Sequence, residues 1–442
     1  MSKISVLPPS GFRDFTPEES ATRLLLVERI SEIYRGHGFQ AIAMPLLENL
    51  ATLEGKGGGI GNEKLIFKVL KRGESLERAL EGSRSDLADM GLRFDLTLPL
   101  ARYYSRFKQQ LQKPFKVFQI GPVWRADSPQ KGRYREFYQC DVDIIGSREI
   151  GAEADCMTAI LEVFARLEVP NVELHLNDRR LLASLKDNDL TESQWSEALV
   201  ILDKLDKIQR VGVEKELTSK LGRVPEGIKV VLDSTTLEQL GSANEDSLAS
   251  LESLISVLKE AAPGARVIFN PSLVRGQDYY TGTIFELRHS SLSGSLGGGG
   301  RYNRLLEVFG GEEVPAFGGS IGFERLLLLL QETGRSISMA RSRPQVFLPL
   351  FDVGLRAPLM RLAKALRERG LRVDVYPDAV KVKNQFKYAD DRKIPFTVII
   401  GNDELKLRTA KLKSMGARTE ESVPMDQLID RLVELCSVHD DF

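Results

Sequence analysis

The sequence predicts an α+β domain that is interrupted by a helical module and followed by a small α/β domain. Residues 116–120 and 137–145 are rich in β-forming side chains and flank a charged loop, a pattern typical of an antiparallel hairpin. From residue 179 to 262, charged helical periodicity replaces the strands. After residue 344, strand and helix patterns alternate, which indicates an α/β sheet.

Composition sets the broad class. The 442 residues are 42% hydrophobic and 28% charged, as in soluble globular proteins, and the length suggests two to four domains. A net charge of −1 excludes a uniformly cationic nucleic-acid coat, although a local basic patch stays possible. The longest apolar run, around residues 326–330, is far too short to span a bilayer, and residues 1–10 lack the apolar core of a signal peptide.

The cysteines and histidines indicate neither a disulfide framework nor a metal site. Cys140, Cys156 and Cys436 are scattered and form no CxxC pair, which fits a reducing cytoplasm. The four histidines also lack the spacing of metal ligands, so we expect ordinary core or surface roles. The histidines are His37, His175, His289 and His439.

The main domain is expected to comprise residues 1–178 and 263–332, with the helical insertion at 179–262. We predict a helix over 17–36, a strand over 39–44 that runs into Pro45, and a helix over 149–168. Residues 91–146 are interpreted as alternating strands and a polar loop.

A polar linker is expected at 333–344, and a C-terminal domain at 345–442. Its predicted strands are 346–350, 371–376 and 396–401, in a mostly parallel sheet. Its predicted helices are 355–369, 383–392 and 425–436.

Chemistry concentrates first at the hairpin. Phe137, Gln139, Asp141 and Asp143 lie two apart and therefore share one face of a strand. An aromatic ring, an amide and two carboxylates make a poor core but suit a floor for a polar ligand. The loop before them is basic, and guanidinium groups pair bidentately with phosphate oxygens. A solvated charged hairpin is an equally good interpretation of these residues alone. The basic loop residues are Arg125, Lys131, Arg133 and Arg135.

Three glycine-rich segments follow. Residues 274–282 (Val-Arg-Gly-Gln-Asp-Tyr-Tyr-Thr-Gly) place two tyrosines beside an arginine, and taken alone they slightly favour a packed corner. Residues 297–302 carry four consecutive glycines, which allow close approach of a ligand or form a flexible turn. Arg325, in the first turn of a predicted helix over 322–331, opposes the helix dipole and calls for an anionic ligand or a carboxylate partner.

Together, these segments resemble the class II aminoacyl-tRNA synthetases. Pro45 after an amphipathic helix resembles the first class motif, residues 125–143 the second and residues 319–325 the third. Residues 92–103, 274–282, 299–302 and 383–401 resemble segments of the histidine enzymes, over nearly the whole chain. The resemblance implies a catalytic domain on an antiparallel sheet and a C-terminal anticodon-binding α/β domain.

The resemblance also implies an activity. The chain would join L-histidine to ATP as an adenylate and pass it to tRNA(His), releasing AMP and pyrophosphate, as a cytoplasmic homodimer without a membrane. Arg125 and Arg275 would act on the α-phosphate as the catalytic pair, and Mg²⁺ would accompany the ATP phosphates. Arg133 would reach the terminal phosphates. Phe137 and Arg325 would sandwich the adenine.

The implied histidine site has two parts. Asp95, Thr97 and Gln139 would accept from the α-ammonium group, and Asp143 and Tyr280 would hold the imidazole. The full set of residues implied to contact histidine is Asp95, Leu96, Thr97, Arg125, Gln139, Asp143, Arg275, Tyr279, Tyr280 and Tyr302.

In the C-terminal domain, the resemblance implies contacts between lysines and arginines and RNA phosphates, against the alternative of a solvated helix face. These residues are Lys381, Lys383, Lys387, Arg392, Lys393, Lys406, Arg408, Lys411 and Lys413.

The chain departs from the family pattern at Asp127, Gln277, Asn303 and Arg304, and in residues 402–408. Two other functions compete with the ligase: a non-catalytic histidine-sensing regulatory paralogue, and a plain RNA-binding protein. The arginines at 125, 275 and 325 and the intact C-terminal module favour the enzyme.

Overall fold

The computed structural model describes residues 4–54, 62–82, 87–129, 132–275, 279–309, 311–335 and 343–439. They form two compact units, the first from residues 1–14 and 25–336 and the second from residues 15–24 and 337–442. Within the described ranges, no helix is long and apolar enough to cross a bilayer.

The first unit is built around strands. They are β1 (Gln40–Ala41), β2 (Leu47–Asn49), β3 (Lys68–Leu70), β4 (Ala88–Leu92), β5 (Phe115–Trp124), β6 (Glu136–Ile145), β7 (Glu173–Asp178), β8 (Arg266–Phe269), β9 (Thr283–Arg288), β10 (Gly297–Arg301) and β11 (Ala316–Gly322).

The helices up to residue 332 are α1 (Pro17–Gly36), α2 (Leu50–Glu54), α3 (Glu74–Leu80), α4 (Thr97–Phe107), α5 (Ile150–Arg166), α6 (Arg179–Ser184), α7 (Glu192–Leu202), α8 (Leu205–Leu221), α9 (Glu226–Asp233), α10 (Glu245–Ala261) and α11 (Phe323–Glu332).

An eight-stranded sheet forms the floor of this unit, in the order β1-β5-β6-β11-β10-β9-β7-β8. The pairs from β5 to β7 are antiparallel, and a parallel strand lies at each edge. The predicted hairpin is therefore confirmed, with β5 paired to β6 from Phe115 opposite Ile145 to Trp124 opposite Glu136. β2, β4 and β3 form a separate small sheet.

The segment from α6 to α10 is helical, as its periodicity predicts. Helices α6 to α9 share a buried apolar cluster that includes Trp195, Leu202, Val213 and Ile228. α8 is kinked at Gln209, whose backbone leaves the helical region, so the turn that begins at Leu205 is set apart from the rest of α8.

One local prediction is wrong. Residues 91–146 are not only strands and loop, because Thr97–Phe107 forms α4. The Oδ1 atom of Asp95 accepts a hydrogen bond from the backbone N–H of Leu98 at 3.3 Å. Pro99 lies in the first turn, where a missing N–H costs little. Leu100 and Tyr104 are buried on the inner face.

Helix α1 matches its prediction, with Leu26, Ile30 and Tyr34 buried. The strand expected over 39–44 is much shorter, because only Gln40–Ala41 pairs with β5.

The second unit contains an α/β sheet, as predicted. Its strands are β12 (Val346–Leu348), β13 (Val373–Val375), β14 (Phe396–Ile399), β15 (Thr409–Ser414) and β16 (Thr419–Pro424). Its helices after residue 344 are α12 (Arg356–Glu368), α13 (Val382–Asp391), α14 (Asn402–Leu407) and α15 (Leu428–His439).

The sheet order is β13-β12-β14-β15-β16. The three predicted strands pair in parallel, but β15 and β16 add an antiparallel hairpin that the sequence did not reveal. The expectation of a mostly parallel sheet is therefore wrong. On β15, Lys411 and Lys413 alternate with buried residues, and most residues of β16 are exposed. The hairpin therefore lacks a strong apolar pattern in the sequence.

Candidate active site

A cavity of about 130 Å³ opens above the middle of the large sheet. β6 forms the floor of the cavity and supplies polar side chains, and the segment before β9 supplies an arginine and two tyrosines. The lining residues are Asp95, Thr97, Arg125, Gln139, Asp141, Asp143, Arg275, Tyr279, Tyr280, Gly298, Tyr302, Gly318, Gly319 and Ser320. Residues from six separate segments thus converge on one small space.

Glycines in the neighbouring strands make room for the charged side chains. Gly318 on β11 lies opposite Asp143 on β6, and a Cβ atom at Gly318 would stand 1.8 Å from the Oδ1 atom of Asp143. A Cβ atom at Gly298 on β10 would stand 2.2 Å from the Nη1 atom of Arg275. The glycine runs in β10 and β11 therefore serve close packing of functional side chains rather than a flexible turn.

A hydrogen bond and packed aromatic rings order the end of the cavity around Asp143. The hydroxyl of Tyr302 donates to the Oδ1 atom of Asp143 at 2.6 Å. Tyr279 packs against both neighbouring tyrosines, with ring centroids 4.9 Å from Tyr280 and 6.2 Å from Tyr302. Tyr302 is thus more than a lining residue, because it orients the carboxylate that is expected to meet the imidazole.

Two buried acceptors at the other end have no partner among the described residues. They are the Oδ2 atom of Asp95 and the Oε1 atom of Gln139. The amide nitrogen of Gln139 is held by the Oγ atom of Ser320 at 3.4 Å and the Oδ1 atom of Asp141 at 3.5 Å. Buried acceptors without partners are costly, so this end is prepared for a ligand with several donors.

Burial perturbs the carboxylates. It raises the pKa of Asp95 to about 6, against the attraction of Arg125. Burial also raises the pKa of Asp141, and the adjacent Asp143 adds to the rise. Burial raises the pKa of Asp143 as well, while the hydrogen bond from Tyr302 acts in the opposite direction. Three carboxyl groups so close together favour a cationic ligand.

Arg125 and Arg275 approach the cavity from different elements. Burial lowers the pKa of Arg125, whose Nε atom donates to the carbonyl of Phe94 at 3.0 Å. The Nη1 atom of Arg275 lies 3.6 Å from the Oε2 atom of Glu286. The backbone of Arg275 has a φ of 55°, a left-handed conformation that costs an arginine about 1–2 kcal/mol. Strain of this kind is common at functional sites.

Of the residues assigned to ATP, Arg125 lines this cavity, whereas Arg133, Phe137 and Arg325 lie outside its lining. The guanidinium of Arg125 lies 5.1 Å from the ring centre of Phe137. Arg133 pairs with Asp127, a position where the family pattern differs. Arg325 donates to the carbonyl of Ser293 at 2.9 Å, and burial lowers its pKa with a further contribution from Arg133. The positive charges of Arg133 and Arg325 therefore repel one another.

The structure also separates residues that the sequence grouped. Leu96 is 1% exposed and does not line the cavity, so it supports α4 rather than offering a contact. Gln277 and Lys131 lie outside the described residues. The sequence placed Asp141 on the same face of β6 as Gln139 and Asp143 but gave it no contact with a ligand. Ser320 and the glycines at 298, 318 and 319 also line the cavity and had no assigned role.

A larger cavity of about 1060 Å³ adjoins the first, because Tyr279 and Tyr280 line both. Asn303 and Arg304, two departures from the family pattern, lie in one wall of this cavity. Its opposite wall belongs to α6 and α7, so the helical segment and the sheet share this space.

In the second unit, several of the predicted basic residues already have partners. Arg392 pairs with Asp374, and Lys411 lies 3.9 Å from both Glu404 and Glu420. The ammonium group of Lys413 lies 4.8 Å from the ring centre of Phe386. The basic side is thus partly neutralised within the unit.

The antiparallel sheet, its converging arginines and the separate α/β unit define a class II aminoacyl-tRNA synthetase. The family model described as histidyl-tRNA synthetase matches residues 11–326, and the model for the anticodon binding domain matches residues 346–435. The chain belongs to the histidyl-tRNA synthetase family.

Its relatives span both units. A histidine–tRNA ligase of Christiangramia forsetii is 34% identical over 95% of this chain and 97% of its own length. A histidine–tRNA ligase of Leifsonia xyli subsp. xyli is 43% identical over 74% of this chain and 80% of its own. The crystal structure of histidyl-tRNA synthetase from Nostoc sp. PCC 7120 aligns with a TM-score of 0.79 at 28% identity, covering 97% of this chain and 99% of that one.

Proposed function

We propose that the chain attaches L-histidine to tRNA(His) in two steps, through a histidyl-adenylate. The carboxylate of histidine attacks the α-phosphorus of ATP and pyrophosphate leaves; the terminal ribose of the tRNA then takes the histidyl group and AMP leaves. The observation that carries this proposal is the cavity itself. Unpartnered buried acceptors and three carboxyl groups stand beside two arginines, which suits a cationic amino acid that meets a phosphate.

The α-ammonium group would bind at the unpartnered acceptors. The Oδ2 atom of Asp95 and the Oε1 atom of Gln139 are buried and have no hydrogen-bond partner among the residues that the structure describes. Thr97 lines the same end and supplies a third acceptor. Three acceptors match the three donors of an ammonium group.

The imidazole would bind between Asp143 and Tyr280. Tyr302 occupies the Oδ1 atom of Asp143, which leaves the other carboxylate oxygen for a ring N–H. The hydroxyl of Tyr280 would serve the second ring nitrogen, and Tyr279 would pack against the ring. An amino acid without two ring nitrogens would leave buried polar groups unpaired, which gives strong discrimination.

Arg125 and Arg275 would stabilise the charge that develops on the α-phosphate oxygens. In-line displacement at phosphorus adds negative charge to those oxygens, and fixed cations in a shielded site are worth most there. Arg133 would reach the terminal phosphates, and Phe137 and Arg325 would enclose the adenine. Because Arg125 already lies over one face of Phe137, adenine would take the other face.

Mg²⁺ would enter with the ATP phosphates. Among the described residues, no group of three or more His, Cys, Asp or Glu side chains could hold a metal ion. The phosphates themselves would supply most of the ligands of the ion, and the charge at the α-phosphate would fall to the two arginines.

The tRNA would contact several regions. We assign the anticodon to residues 345–442, through those of the predicted lysines and arginines that have no acidic partner among the described residues. We regard residues 179–262 as an insertion domain and 333–344 as a linker.

We also propose that the protein is a homodimer with a cytoplasmic location. Leu46 and Leu47, next to Pro45, are 45% and 41% exposed, as an interface would require. Light scattering at micromolar concentration should give twice the mass of the chain, and a monomer mass would contradict the dimer.

The competing function is histidine sensing without catalysis. Arg125 and Arg275 line the cavity, and the anticodon-binding model matches residues 346–435, which favours the ligase over the sensor. The purified protein should therefore exchange labelled pyrophosphate into ATP only when histidine is present. Normal histidine binding without exchange would favour the sensor.

Arg275→Ala tests the assigned chemistry within that assay. Loss of one charge-stabilising group should lower kcat by about 10²–10³-fold. Arg266→Ala is the matched control, because Arg266 lies on the outer strand β8 and pairs with Glu173 at 2.6 Å. Full activity of Arg275→Ala would overturn the role given to that arginine.

A further inference from the structure

A chain of ion pairs runs from Arg275 to the helical segment. The Nη1 atom of Arg275 lies 3.6 Å from the Oε2 atom of Glu286. The other carboxylate oxygen of Glu286 accepts from the Nε atom of Arg288 at 2.8 Å. The Nη1 atom of Arg288 lies 2.7 Å from the Oδ2 atom of Asp206. Four alternating charges thus link the cavity to the first turn of α8.

The sheet explains why this chain can form. Glu286 and Arg288 are two residues apart on β9, so their side chains share a face. Glu286 lies opposite Gly298 on β10. Because Gly298 has no side chain, the guanidinium of Arg275 packs directly against its backbone. A larger residue at position 298 would push Arg275 out of this groove. The carboxylate of Glu286 therefore helps to hold Arg275 along the strand, together with the hydroxyl of Tyr280.

Shielding from solvent decreases along this series of ion pairs, from Arg275 to Asp206. The exposed side-chain fraction is 19% for Arg275, 17% for Glu286, 28% for Arg288 and 67% for Asp206. The inner pair is thus protected, whereas the outer pair lies at the surface, on the turn that precedes the kink of α8 at Gln209. An outer pair of this kind can break and form again at low cost.

A second carboxylate of the helical segment, that of Asp203, also interacts electrostatically with residues at the cavity. Burial and the charge of Glu286 raise the pKa of Asp203, and the charge of Arg275 acts in the opposite direction. Asp203 closes α7, immediately before the turn that carries Asp206. Asp203 therefore interacts with Arg275 and Glu286 directly, whereas Asp206 is linked to them through Arg288.

We infer that Glu286 and Arg288 are positioning residues for Arg275, and that Asp206 couples the helical segment of residues 179–262 to amino-acid activation. The inference rests on the role proposed for Arg275 at the α-phosphate. A displacement of a reacting group by about 1 Å can cost about 10²-fold in rate. Movement of the first turn of α8, for example when RNA contacts this segment, would be transmitted through Arg288 and Glu286 to the phosphate site.

Asp206→Asn tests the outer link, and Asp233→Asn is its matched control. Both aspartates lie in the helical segment, are 67% and 64% exposed, and pair with an arginine at 2.7 and 2.6 Å. Only Asp206 belongs to the chain that reaches Arg275. Histidine-dependent pyrophosphate exchange should show a kcat about two- to fivefold lower for Asp206→Asn, because exposed pairs contribute little individually. KM for histidine and the Tm should stay unchanged.

Two further variants separate positioning from stability. Asp206→Glu keeps the charge and should restore kcat. Glu286→Gln removes the inner carboxylate and should lower kcat by about 10²-fold while histidine still binds. A merely structural role would instead lower the Tm of Glu286→Gln and leave the rate of the folded enzyme unchanged.

The outcomes distinguish this inference from the proposed function. Absence of exchange in the unmodified protein would refute the ligase proposal. Calorimetric titration with ATP would then still test the link, because Asp206→Asn should bind ATP more weakly than Asp233→Asn does. Equal behaviour of these two variants in both assays would refute the coupling.

Discussion

Asp95→Asn should make the ligand-free protein more stable while it removes the use of histidine. Asp95 is 3% exposed, and burial raises its pKa to about 6 despite the nearby Arg125. The charged carboxylate of Asp95 therefore lowers the free energy of unfolding. Asparagine keeps the shape and can still accept the backbone N–H of Leu98, but it has no charge.

The magnitude follows from the pKa. A value of about 6 instead of 3.8 corresponds to about 3 kcal/mol of destabilisation at pH 8, at about 1.36 kcal/mol per pKa unit. Because the folded-state pKa is raised, this destabilisation is absent below the unfolded-state pKa of about 3.9 and is complete above about 6. At pH 5, about half of the effect remains.

Urea unfolding of the ligand-free protein at pH 5 and pH 8 measures the effect. The free energy of unfolding of Asp95→Asn should exceed that of the unmodified protein by up to about 3 kcal/mol at pH 8, and by about half as much at pH 5. Asp352→Asn is the control, since Asp352 also accepts a backbone N–H, from Gly354 at 2.7 Å, but is exposed. A gain in stability that does not change with pH, or a loss at pH 8, would refute the reasoning.

Two further variants test the imidazole end of the cavity. Tyr302→Phe removes the 2.6 Å hydrogen bond to Asp143, so KM for histidine should rise by about tenfold. That bond lowers the pKa of Asp143, so the acid limb of the pH profile for histidine use should move to higher pH; an unmoved profile would contradict this. Gly318→Ala would place a Cβ atom 1.8 Å from the Oδ1 atom of Asp143 and should lower kcat/KM for histidine by about 10²-fold or more. Gly264→Ala has no neighbour within 4 Å and should leave the exchange rate unchanged, so equal losses in the two glycine variants would count against a steric cause.

The fold could be predicted from sequence where one periodicity dominates. Leu26, Ile30 and Tyr34 lie on one face of α1, and this helical spacing predicted the helix. The hairpin of β5 and β6 followed from β-forming residues around a charged loop. Helix α4 was missed because its Leu, Thr and Tyr residues also suit strands. The capping contact of Asp95 and the early Pro99 were the overlooked signals.

The site was only partly predictable, for a physical reason. Alternation along β6 placed Gln139, Asp141 and Asp143 on one face, because that geometry is local. The bond between Tyr302 and Asp143 spans 159 residues and depends on how β10, β11 and β6 pair, which no local pattern encodes. The chain of ion pairs through Glu286 has the same origin.

Charging of tRNA(His) with labelled histidine tests the central proposal most directly. With ATP and tRNA present, acid-precipitable label should accumulate from histidine and from no other amino acid, and AMP should form in step with it. Arg275→Ala should slow the accumulation of label by about 10²–10³-fold, whereas Arg266→Ala should not change it. Binding of histidine, or even exchange of pyrophosphate, without transfer of label to tRNA would contradict the account.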